Sequence, residues 1–143
     1  MRLMAALALL GLWTAQAQPA ADTESNTQCI ERLRMPVYPK LADAARISGS
    51  LTATVVLGPD GSIQNTVLDM GLASATAKRM FPRAVEEALR ASAFRKACGG
   101  RSVTLVFNFV LGEELDPNHL PQAVSFGYPN RFWISVPPNI VQP

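Results

Sequence analysis

Catalysis needs a nucleophile, a base or a metal, and this chain carries few side chains that could serve. Its one histidine, His119, sits in the polar run Asp116-Pro117-Asn118 ahead of Leu120. A lone loop imidazole with a carboxylate three residues away lacks the nucleophile that would make the pair useful, and a solvated side chain is the ordinary reading. Two distant cysteines, Cys29 and Cys98, with one histidine fall short of the four nitrogen or sulfur ligands of a zinc site. Glu86 and Glu87 are adjacent on a helical pattern, so they point in different directions and form a solvated face rather than a paired-carboxylate site. Gly99-Gly100 lead into a strand pattern, whereas a phosphate-binding loop leads into a helix. No catalytic residue, metal or cofactor is assigned.

The two cysteines have a different chemistry open to them. Arg2, the unbroken apolar run Leu3 to Trp13 and the small residues of Ala15-Gln16-Ala17 make residues 1–17 an export signal, with cleavage expected after Ala17. The run is about half of the roughly 20 residues that span a bilayer, so no stable membrane anchor is expected. Export would place Cys29 and Cys98 in an oxidising environment, and a disulfide is the favoured reading over two free thiols or pairing between chains. Closing so long a loop contributes about 4 kcal/mol in the chain-entropy picture. The 13 Lys and Arg against 11 Asp and Glu are too balanced and scattered for a nucleic-acid surface.

The elements that position these residues follow from periodicity. Residues 18–28 are small and polar and read as a disordered leader. Pro36-Val37-Tyr38-Pro39 is a stiff extended strap that can lay Val37 and Tyr38 on a core. A two-turn helix over Lys40 to Ile47 places Leu41, Ala44, Ala45 and Ile47 at helical spacing, with Gly49 as its stop. Leu51, Ala53, Val55 and Leu57 then alternate with Thr52, Thr54 and Val56 in a half-buried strand. The turn Gly58-Pro59-Asp60-Gly61 makes a hairpin into a more polar strand, Ser62 to Met70. Phe81, Ala84, Val85, Ala88 and Leu89 mark the main amphipathic helix, expected to start near Phe81 because Pro82 fits a first turn. Ser102 to Leu111 alternates without a break, with Val103, Leu105, Phe107, Phe109 and Leu111 on one face. Beyond it lies a proline-rich tail holding Phe126, Tyr128, Phe132 and Trp133, too aromatic for a plain linker.

This order gives an α+β fold of two layers, with helices on one face of a three-stranded antiparallel sheet. The second strand and the long helix return the chain so that the third strand pairs on the first, giving the order second, first, third. The last strand then ends the sheet with open backbone groups. The domain spans residues 29–112, followed by the tail, residues 113–143.

Several ordered features resemble the carboxyl-terminal domain of TonB-type energy transducers. They are Pro36-x-Tyr38-Pro39, the Ala44-to-Gly49 helix with its terminating glycine, the Asp60-Gly61 hairpin, the helix ending Ala88-Leu89-Arg90-x-Ser92-Ala93-Phe94-Arg95-Lys96-Ala97, and the last strand. They cover about half of the chain. The resemblance implies a periplasmic domain whose last strand accepts an extended peptide from an outer-membrane receptor by strand addition. Two departures stand out: the expected signal and short leader replace the family's membrane helix and long Pro-rich spacer, and Ala91-Ser92 stands where the family commonly has a bulky aromatic.

The resulting expectation is a protein- or peptide-binding module serving outer-membrane transport, not an enzyme. Backbone groups of Ser102, Thr104, Val106, Asn108 and Val110 would form the docking edge, with Thr104, Val106 and Asn108 tuning selectivity. Two alternatives use the same edge: pairing with a second copy as a homodimer, or with the chain's own tail over Phe126 to Val136.

Overall fold

Period-two alternation sets the sheet. In the computed structural model, which describes residues 27–112 and 122–137, the order is β1 (Ile30–Arg32), α1 (Lys40–Ala44), β2 (Gly49–Leu57), β3 (Ile63–Asp69), α2 (Ala75–Arg90), β4 (Ala93–Phe94), β5 (Ser102–Leu111), β6 (Ala123–Gly127) and β7 (Arg131–Val136). The main sheet runs β3-β2-β5-β7-β6, and β1 and β4 form a separate two-stranded pair. The order second, first, third is β3-β2-β5, antiparallel throughout. The sheet does not stop there: two strands from the stretch expected to be a tail extend it, β7 parallel to β5 and β6 antiparallel to β7. The expected signal, most of the leader, Asp116 and His119 lie outside the described residues.

Register puts Leu51 opposite Phe107, Ala53 opposite Leu105 and Val55 opposite Val103, all buried on the face that the helices cover. Ala77, Phe81, Val85 and Leu89 of α2 meet this face. Phe81 stacks on Phe109 at 4.4 Å, and Tyr38 stands edge-on to both rings at 5.8 and 5.6 Å. Of the strap, Tyr38 goes inward, while Val37 faces out because successive side chains of extended backbone point to opposite sides.

Two helix boundaries differ from the sequence reading. Helix α2 begins at Ala75, not near Phe81, because Ser74 accepts a bond from the Ala77 amide and caps an additional turn whose Ala77 is buried. Pro82 is therefore inside the helix, where it removes one backbone donor. The stop after α1 is Arg46, at φ 53°, with the Arg46 amide donating to Asp43 and the Ile47 amide to Ala42, the bonding of a Schellman motif. Gly49 instead opens β2, where a Cβ would lie 3.0 Å from the Phe81 ring.

The far corner is tied covalently. Cys29 and Cys98 form a disulfide, both buried, with Cys29 in a turn over Thr27–Cys29 that includes Thr27 and Gln28 of the expected leader. The turn over Lys96–Cys98 packs on the β2–β3 hairpin so closely that a Cβ on Gly99 would fall 2.3 Å from the Pro59 carbonyl oxygen. In the hairpin itself Gly61 takes φ +83°, and Asp60 accepts bonds from the Ser62 amide and hydroxyl. These two bonds hold the Asp60 carboxyl below its ordinary range.

A candidate strand-docking edge

A sheet edge binds by exposing backbone donors and acceptors on one side of a strand. On β5 the Val106 amide and the Thr104 carbonyl point away from β2, and by the alternation of strand backbone so do those of Ser102, Asn108 and Val110. These are the five residues expected to form the docking edge. The structure brings them into one row, and then covers most of that row. Val106 through Leu111 pair in parallel register with Arg131 through Val136, and the Gly112 amide continues the ladder to Val136. The edge expected to lie open is thus held by the chain's own β7.

Three side chains fasten that arrangement. Asn130 closes the lower end, accepting from the Val106 amide through its backbone carbonyl at 2.9 Å and donating from its side-chain Nδ2 to the Thr104 carbonyl at 2.9 Å. Asn108 accepts from Ser50 Oγ at 2.9 Å and donates from Nδ2 to the Phe132 carbonyl, so its amide spans three strands. Arg46 donates to the Pro137 carbonyl at 3.3 Å while pairing with Asp43. Gln122 fixes the other strand of the tail hairpin: its amide accepts from the Tyr38 N–H at 2.8 Å and donates to the Pro36 carbonyl at 3.1 Å, matching the polar spacing of the strap as a neighbouring strand would.

Apolar contact backs these bonds. Phe132, Ile134 and Val136 enter the core, and Phe132 stacks on Phe107 at 5.6 Å. The sequence reading did not single out Gln122, Asn130 or Arg46. The readable signal was polar amides flanking an alternating Phe-Trp-Ile-Ser-Val run, with Phe132, Ile134 and Val136 at period two. Among the described residues no group of acidic, cysteine or histidine side chains is placed to hold a metal, and no helix is long and apolar enough to cross a membrane.

The sequence profile of the Gram-negative bacterial TonB protein C-terminal family matches residues 34–111, more than half of the chain. The chain belongs to the TonB C-terminal family. It is 34% identical to protein TonB of Klebsiella pneumoniae over 98 residues, 68% of this chain but 38% of that relative's length. Among solved structures it is similar to the solution structure of the Pseudomonas aeruginosa TonB C-terminal domain, with 28% identity, coverage of 64% of this chain and 94% of that one, and a TM-score of 0.44. The family match ends with β5, so β5 belongs to the TonB-type segment, and β6 and β7 lie beyond it. At the helix end, Ser92 donates to the Ala88 carbonyl and accepts from the Arg34 amide, a polar tie between the end of α2 and the segment leading into the strap.

Proposed function

We propose that this TonB-type domain is exported by residues 1–17 to the periplasm, where it binds an extended segment of an outer-membrane receptor by strand addition to β5 and so serves transport across the outer membrane. Its role is binding rather than catalysis. Backbone groups supply most of the affinity, and Thr104, Val106 and Asn108 tune it. The observation that carries this reading is that β5 already takes an added strand: six successive residues of β7 lie along it in parallel. An edge that accepts β7 fits a partner segment with the same alternation of large apolar side chains. That pattern is required, because the incoming strand must replace Phe132, Ile134 and Val136, each stabilised by burial by about 1.5–3 kcal/mol.

The test is a photo-crosslinking residue introduced in living cells at Thr104, with the same residue at Gln64 on β3 as a control. The Thr104 variant is expected to give covalent adducts with an outer-membrane protein, and the Gln64 variant none. Adducts from Gln64 alone, or equal adducts from both, would overturn docking at β5.

A further inference from the structure

The two outer edges of the five-stranded sheet are built differently. β3 presents Gln64, Asn65, Thr66 and Asp69 beside one exposed apolar side chain, Val67, and pairs with β2 through a register shift. A polar, irregular edge of this kind discourages pairing with another chain. β6 has none of these devices. Its sequence, Ala-Val-Ser-Phe-Gly, contains no charge and no proline, and its register against β7 is unbroken. Val124 and Phe126 lie on the helix-side face, since their cross-strand neighbours are the buried Ile134 and Phe132, yet they remain 46% and 56% exposed. Tyr128, just beyond, is also exposed. The helix layer ends before it reaches them.

We propose that β6 pairs antiparallel with β6 of a second copy of this chain, joining two five-stranded sheets edge to edge. The strand is self-complementary about Ser125. A two-fold axis there sets Ser125 against itself, Val124 against Phe126 of the second copy and Phe126 against its Val124, and Ala123 against Gly127. Directly opposed residues share a face, so the two Val-Phe pairs extend the apolar stripe of Ile134 and Phe132 across the junction.

Charge permits the same arrangement. The charged side chain nearest to β6 on β7 is Arg131, opposite Gly127. Strand spacing and rise put the two copies of Arg131 about 20 Å apart, beyond the screening length of about 8 Å at physiological salt. Five residues of strand cover much less than the roughly 1,200–2,000 Å² of a stable interface, so the association is weak and depends on concentration. Pairing at β6 does not require that β5 receive a partner strand. It does require β7 to be seated, so a partner that displaces β7 separates the copies.

The experiment measures the mass of the whole exported chain by light scattering over about a hundredfold range of concentration, for the wild type, Val124→Lys and Phe126→Lys. The wild-type mass is expected to climb from one chain toward two, while both variants stay at one chain and unfold at the wild-type temperature. A flat wild-type mass overturns the proposal, and so does an equal rise in the variants, which would place self-association elsewhere. Should a lysine variant unfold, amide exchange at β6 in the wild type decides: slowing with concentration is expected, and unchanged exchange overturns the pairing.

Discussion

Tyr38 joins three parts of the molecule through one side chain. Its ring meets Phe81 of α2 and Phe109 of β5, and its hydroxyl donates to the Ile47 carbonyl at 2.6 Å. Burial, reinforced by the nearby Asp43 carboxylate, raises its pKa above the ordinary 10.0. The folded phenol keeps its proton to higher pH than the unfolded one. The resulting stabilisation is therefore complete below the unfolded value and is lost as pH rises from there through the folded value. Tyr38→Phe should cost about 1 kcal/mol at neutral pH for the lost hydrogen bond. It should also flatten the alkaline decline in urea stability, and an equal decline in both proteins would contradict this assignment. Gly99→Ala, by contrast, drives a methyl into the Pro59 carbonyl, so a loss of about 2 kcal/mol or more is expected by thermal unfolding. At this scale Tyr38 was legible because two prolines fix the strap around it. Arg46 was not, because only a glycine advertises a left-handed turn, and Gly49 advertised one that it does not make.

Helix α2 shows how burial overrides a local signal. Pro82 argued for a start near Phe81, yet Ser74 and the buried Ala77 begin the helix six residues earlier. The missing donor and the ring's crowding of the preceding turn remain a local defect. Pro82→Ala should accordingly raise stability by about 1 kcal/mol or more, read as a shift in urea midpoint. The β2–β3 hairpin and β5 were legible because strict alternation admits one choice of buried face, and that choice matches the observed core. The short β1–β4 pair was not, since two or three residues carry no period. It lies beside the Cys29–Cys98 disulfide, which closes a separation of 69 residues. Replacing both cysteines with serine should remove about 4 kcal/mol, measured by denaturant unfolding; a loss under about 1 kcal/mol would contradict a structural role.

For the whole molecule, the decisive departure from the sequence pattern is the closed edge. Alternation in Phe132, Ile134 and Val136 was present to be read, but seven residues between Pro129 and Pro137 resemble a loop until a neighbouring strand is known to lack a partner. The sequence indicated that β5 would need something along its outer side, and the tail was one of the alternatives; only the parallel register shows which residues meet. If β7 is part of the fold, Ile134→Ala should destabilise the protein by about 2–5 kcal/mol, as other core truncations do. A much smaller loss would mean that the hairpin opens before the rest. The central claim is that β5 is a docking strand whose edge is filled by β7, and residue-resolved amide hydrogen exchange on the intact free protein tests it most directly. The account predicts strong protection of the outward-facing amides of Val106, Asn108 and Val110, lost when a receptor-derived strand is excluded and β7 is detached by Ile134→Asn. Exchange of those three amides at the rate of an unpaired chain in the wild-type protein would contradict it.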